Sequence, residues 1–101
     1  MFSGGTYEEV GRWLWNCLAS HAKRENPRAE VILDAHGERE GRSYGVRLRL
    51  GRSLSSVWEY DYADVAENRG HLAWCRALAD RARAQVSALA SSADTVVGRV
   101  E

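Results

Sequence analysis

Apolar residues recur along the chain with two different periods, and the period changes twice. Val10, Leu14, Cys17, Leu18 and His21 fall on one face at helical spacing, with Glu8, Arg12, Asn16 and Ser20 opposite. Just ahead, Thr6-Tyr7-Glu8-Glu9 has the form of a capping box, in which the Thr6 hydroxyl accepts from the Glu9 amide and the Glu9 carboxylate accepts from the Thr6 amide. The pattern predicts a helix over residues 7–23. Pro27 stops it, because proline has no amide hydrogen and drives Asn26 out of the helical region.

From Arg28 the period drops to 2, and three runs separated by Gly- and Ser-rich turns predict strands over residues 30–36, 43–50 and 58–62. In the second, Tyr44, Val46, Leu48 and Leu50 alternate against Ser43, Gly45, Arg47 and Arg49; in the third, Trp58, Tyr60 and Tyr62 oppose Glu59 and Asp61. Antiparallel pairing through a turn within 51–56 sets Arg47 and Arg49 against Glu59 and Asp61 as ion pairs. The helical period then returns through Leu72, Cys75, Ala79, Ala82, Val86 and Leu89, predicting a helix over about 70–91. Asp64 and Glu67 offer an earlier start, and Asn68-Arg69-Gly70 reads as a loop. Residues 1–5 are expected to be a flexible N-terminus, and 92–101, with Thr95-Val96-Val97, a frayed tail or a short edge strand.

This order predicts an α+β fold, a two-layer sandwich α-β-β-β-α in which both helices lie on one face of a three-stranded antiparallel meander, as a single domain over 1–101. A chain of 101 residues, 45% apolar, supports one core with little internal cavity, which excludes large enzyme folds. Fourteen Lys and Arg balance fourteen Asp and Glu, so the field that drives non-specific nucleic-acid binding is missing. Its apolar runs fall short of the roughly 20 residues of a membrane span. Met1-Phe2-Ser3-Gly4-Gly5 lacks the basic start of a signal peptide, so a cytoplasmic protein without a membrane partner is expected. Two cysteines inside helical patterns fit a reducing compartment, with one bridge between them left open.

Four constellations bear on chemistry. Cys17 with His21 and His71 with Cys75 are each spaced i to i+4, so two facing helices can offer two thiolates and two imidazoles to a zinc ion; the plain alternative is two core cysteines and two amphipathic histidines. Neither Cys is expected to serve as a His-activated nucleophile, since that chemistry needs a cleft this size scarcely permits. Gly41-Arg42-Ser43-Tyr44-Gly45 matches the G-x-S-x-G of hydrolase elbows, but it opens a strand of a small meander instead of a strand-to-helix turn, which marks a chance match. Arg42, Arg47, Arg49 and Arg52 make an acid-free run suited to phosphate, offset by Glu59, Asp61, Asp64 and Glu67. The order of elements is similar to that of the double-stranded RNA-binding domain. That family's last helix opens on a Lys-rich signature, whereas the same place here reads Asn68-Arg69-Gly70-His71-Leu72-Ala73, so the likeness is one of order only.

Tryptophan gives the fourth constellation. Trp13 and Trp15 sit two positions apart, about 200° around a helix, so both cannot enter one core. One is expected at the surface beside Arg12, and exposed Trp and Arg are enriched at binding hot spots; the competing reading has Trp15 leaning over a sheet edge. Arg12, Trp13 and Trp15 are therefore the expected partner-binding residues of a non-catalytic protein-binding module without a cofactor. Such a module is a small adaptor, chaperone or inhibitor, a class that includes anti-CRISPR and immunity proteins. Small residues along the second helix, Ala79 and Ala82 among them, also suit a homodimer. A nucleic-acid binder using the arginine run is the first alternative, and a zinc protein the second.

Overall fold

The computed structural model describes the backbone over residues 5–100 and side chains over residues 5–91. Helix α1 (Tyr7–Glu25) opens on the capping box, with both of its reciprocal hydrogen bonds formed, and closes at Asn26, whose extended φ of −154° is what the following proline imposes. Strands β1 (Glu30–Asp34), β2 (Ser43–Leu50), β3 (Ser53–Leu54) and β4 (Trp58–Asp61) follow, with a single 3-10 turn at Gly37–Arg39 between the first two. Helices α2 (Tyr62–Asn68) and α3 (Leu72–Val100) complete the chain.

The sheet is antiparallel, with β1 along one side of β2 and both β3 and β4 along the other. β3 falls within the turn expected over 51–56, and it and β4 act as one strand interrupted by a bulge. Arg49 faces Leu54 and Val46 faces Trp58, so Arg47 and Leu48 oppose three residues, Ser55, Ser56 and Val57. Ser55 fills the irregularity: its amide donates to the Leu48 carbonyl at 2.9 Å, and its buried hydroxyl accepts from the Leu48 amide at 2.9 Å.

Val10, Leu14 and Leu18 of α1, Tyr44, Val46 and Leu48 of β2, Val65 of α2, and Leu78, Ala82 and Val86 of α3 form one core between the helices and one face of the sheet. Each fully buried Leu or Val there contributes about 1.5–3 kcal/mol, more than a typical surface ion pair. Ala79 and Ala82 are buried where α3 packs on α1. Gly11 is required in α1 because a Cβ there would stand 2.8 Å from Cε1 of the Tyr44 ring.

Three expectations need correction. Tyr62 does not extend the third strand but starts α2, and the helical segment then breaks at residues 69–71 before α3, so the loop read at Asn68-Arg69-Gly70 separates two helices. The backbone of residues 92–100 continues α3 instead of forming an edge strand. Arg47 and Arg49 do not pair with Glu59 and Asp61, because the bulge and turn set Glu59 opposite Gly45 and Asp61 opposite Ser43. Glu59 instead pairs with Arg39, whose guanidinium crosses the bare Gly45 position to reach Asp34 at 2.8 Å and Glu59 at 2.7 Å. Residues 1–4 and Glu101 lie outside the described residues.

Candidate functional site

The direction of each backbone group in β1 follows from Ser55. Both Leu48 backbone groups are turned toward Ser55, so Leu48 and its opposite number Val31 form a pair that exchanges no hydrogen bonds. Val31, and Leu33 two residues on, therefore turn their N–H and C=O away from β2, toward the free edge of the sheet. Helix α1 lies along that edge, running antiparallel to β1, and covers part of it. Lys23 Nζ donates to the Ala29 carbonyl at 3.0 Å, Trp15 Nε1 donates to the Val31 carbonyl at 2.9 Å, and the Tyr7 hydroxyl sits among the carbonyls of Ala35, Arg39 and Ser43. Among the described residues no group of the chain bonds the edge-facing N–H and C=O of Leu33.

At Leu33 the helix and the strand stand apart and leave an open groove of about 360 Å3. Tyr7, Gly11, Trp15, Leu33, Ala35 and Tyr44 form its largely apolar lining, and Glu8, Arg12, His36 and Glu40 stand around it. The missing side chain at Gly11 lets the Tyr44 ring come up against α1. Tyr44 stacks on Tyr7 with centroids 4.6 Å apart and donates from its hydroxyl to the Tyr7 carbonyl at 2.6 Å. Burial, reinforced by Tyr7, Tyr62 and Glu8, drives the Tyr44 phenol far above its ordinary pKa and keeps it a donor. Burial also raises Tyr7, with the carboxylates of Glu40, Asp34 and Glu8 adding to it. Glu8, Arg12 and Glu40 form no ion pair among the described residues.

The expected partner residues divide between two faces. Arg12 and Trp15 stand at the groove, where the Trp15 ring leans on the sheet edge through its bond to Val31 and is 40% exposed. Trp13 points the other way, stacking on Trp74 with centroids 6.4 Å apart; Tyr60 and Trp58 continue this half-buried row, and Arg81 caps it 5.0 Å from the Trp58 ring.

The arginines do not form one stripe. Arg49 pairs with Glu30, Arg47 lies between Ile32 and Val57 on the uncovered face of the sheet, and Arg42 and Arg52 sit beyond opposite ends of β2. Ser43 opens β2 and its hydroxyl lies 3.4 Å from Glu59.

Of the four proposed zinc ligands, Cys75 and His21 line a shallow groove between α1 and α3, while His71 is held by Asn68 at 2.8 Å and the Cys75 thiol is directed at the Arg69 carbonyl at 3.3 Å. Among the described residues no three His, Cys, Asp or Glu side chains cluster so as to hold a metal. Both cysteines are half-buried and unbridged, and burial, together with Cys75, raises the Cys17 thiol, the reverse of what an activated thiolate requires.

His21 carries a pH prediction. Its Nδ1 is buried without a hydrogen-bond partner. Burial first, then Arg24 and Arg83, lowers its pKa below 6.5, with Asp80 opposing. The folded chain thus resists a proton that the unfolded chain accepts, so this contribution to stability is complete above about pH 6.5 and declines as the pH falls toward the folded value. Melting temperatures measured from about pH 7.5 to 5 should fall less steeply for His21→Gln than for the wild type; parallel curves would refute the assignment.

Sequence reasoning missed Tyr7, Leu33, Ala35, His36 and Glu40. The one available signal was a glycine at position 11, inside an otherwise strong helix. No helix among the described residues is long and apolar enough to cross a membrane. No protein-family model matches the chain, and neither a curated protein nor a solved structure is significantly similar to it.

Proposed function

We propose that this chain is a protein-binding module that receives an apolar side chain of a partner in the groove between α1 and β1. The observation that carries this reading is the Trp15 ring, pinned at its nitrogen by the Val31 carbonyl yet open on its face, beside a concave apolar surface with Arg12 at its rim. A fixed aromatic wall next to a cavity loses little side-chain entropy when a ligand arrives, which is why such residues dominate binding energy. The groove also has the usual composition of a recognition site, apolar walls with a few convergent polar groups. Two unbridged thiols fit a reducing, cytoplasmic setting.

Selection of phage-displayed random heptapeptides on the immobilised chain tests the reading. Enriched peptides should bind Trp15→Ala at least tenfold more weakly, with its melting temperature close to wild type, and should bind Leu54→Ser, altered on the uncovered sheet face, normally. Enrichment of nothing, or of peptides indifferent to Trp15→Ala, would defeat it.

A further inference from the structure

We propose, building on the groove as the partner site, that the partner enters as an extended segment that adds to β1 at Leu33, placing one apolar side chain in the groove and a basic side chain two residues away against Glu8 and Glu40. Along the free edge of β1, Trp15 already holds the Val31 carbonyl and the Tyr7 hydroxyl lies 3.5 Å from that of Ala35. Leu33, between them, keeps a donor and an acceptor turned outward, at the place where the helix stands off. A backbone donor and acceptor side by side on an edge strand are complementary to one residue of another strand, and pairing there satisfies both.

The rest of the recognition pattern follows from strand geometry. A residue paired directly with Leu33 directs its side chain to the same face as Leu33, which is the face toward α1, and so into the groove beside Trp15. Side chains alternate, so the next residue on that face lies two positions along. At the Ala35 end it meets Tyr7, Glu8 and Glu40, where two carboxylates form no ion pair among the described residues; a Lys or Arg supplies the charge, with its stem on the Tyr7 ring. A second copy of β1 fits less well. Its Leu33 would be flanked at two residues by Val31 and Ala35, neither basic, and it would bring a second Glu8 and Glu40 toward the first.

The probe is the blocked peptide Ac-Thr-Lys-Thr-Leu-Thr-Lys-Thr-NH2, which offers a base two residues from leucine in either chain direction. Titration into the labelled protein, followed at the Leu33 amide and the Trp15 indole N–H, should move both signals. N-methylation of the peptide's leucine should weaken binding tenfold or more. N-methylation of the threonine on either side, whose N–H points away from β1, should change it by less than about threefold. Exchanging both lysines for glutamate should also weaken it tenfold or more.

Equal effects from all the N-methylations, or none from any, overturn the added strand. If those same peptides still lose affinity for Trp15→Ala, the groove reading survives that result. Failure of the probe at millimolar concentration, while displayed peptides bind in a Trp15-dependent way, also overturns the strand and leaves the groove standing; failure of both removes the two together. A homodimer in sedimentation equilibrium that Trp15→Ala dissociates assigns the edge to a second copy and overturns the proposal.

Discussion

Gly11→Ala is expected to destabilise the protein by up to about 2 kcal/mol, although helix propensity alone favours alanine over glycine by roughly 1 kcal/mol. The sign turns on one contact. An added Cβ would lie 2.8 Å from Tyr44 Cε1 and 3.5 Å from Cδ1, and that ring cannot step aside. It is fully buried, stacked on Tyr7, edge-on to Tyr62 at 6.4 Å, and tied by its hydroxyl to the Tyr7 carbonyl. Overpacking of this kind costs about 1–3 kcal/mol per intrusion and outweighs the propensity gain. Gly11→Val, which adds two further methyl groups, should cost about 3 kcal/mol or more. In a domain of this size each kcal/mol lowers the melting temperature by roughly 4–8 °C, so thermal unfolding of the two variants reads the effect directly. A melting temperature for Gly11→Ala at or above wild type would show that α1 and β2 do not approach as closely as described. The same substitution should narrow the groove, because the added methyl enters between Gly11 and Tyr44, both part of its lining.

The fold was legible in the sequence wherever the signal was local. Thr6 and Glu9 form a capping box because three residues of chain suffice to write one, and Tyr44, Val46 and Leu48 face the core because alternation needs only neighbours. Tyr62 continued the alternation of Trp58 and Tyr60 but begins α2, since the backbone can turn helical at any residue after an extended Asp61 and the period alone does not say where. The ion pairs failed for a related reason. Ser55-Ser56-Val57 signals a break, but the tightness of the turn after Leu50 and the residue absorbed by the bulge are both set by packing, and together they place Glu59 opposite Gly45, in reach of Arg39, instead of opposite Arg47. In the candidate site, Arg12 and Trp15 were legible from the angle between two tryptophans on one helix. Leu33 was not, because its unpaired backbone follows from which strand forms the sheet edge and which of its alternate residues turn outward, and both are long-range facts.

Ser55→Ala is expected to destabilise by about 1–3 kcal/mol, out of proportion to the single oxygen removed. The hydroxyl stands in for a strand: it accepts from the Leu48 amide at 2.9 Å and donates to the Ser56 carbonyl at 2.9 Å, at a position 7% exposed. Alanine leaves the Leu48 N–H without its partner in the middle of β2, where water has little access, and an unpaired buried donor costs more than a hydrogen bond gains. Ser56→Ala, at an exposed neighbouring position, should fall within about 0.5 kcal/mol of wild type. Hydrogen exchange at Leu48 is the sharper measurement, because the amide should lose protection in Ser55→Ala beyond what the global loss of stability explains. Ser55 also pins the bulge, and the bulge sets Trp58 opposite Val46 and Tyr60 opposite Tyr44 on the core side; a slip of one residue would turn both rings to the uncovered face. Since neither Ser55 nor Leu48 belongs to the groove's lining, the folded fraction of Ser55→Ala should bind groove peptides with unchanged affinity. A parallel loss of stability and binding would show instead that the bulge and the groove form one cooperative unit.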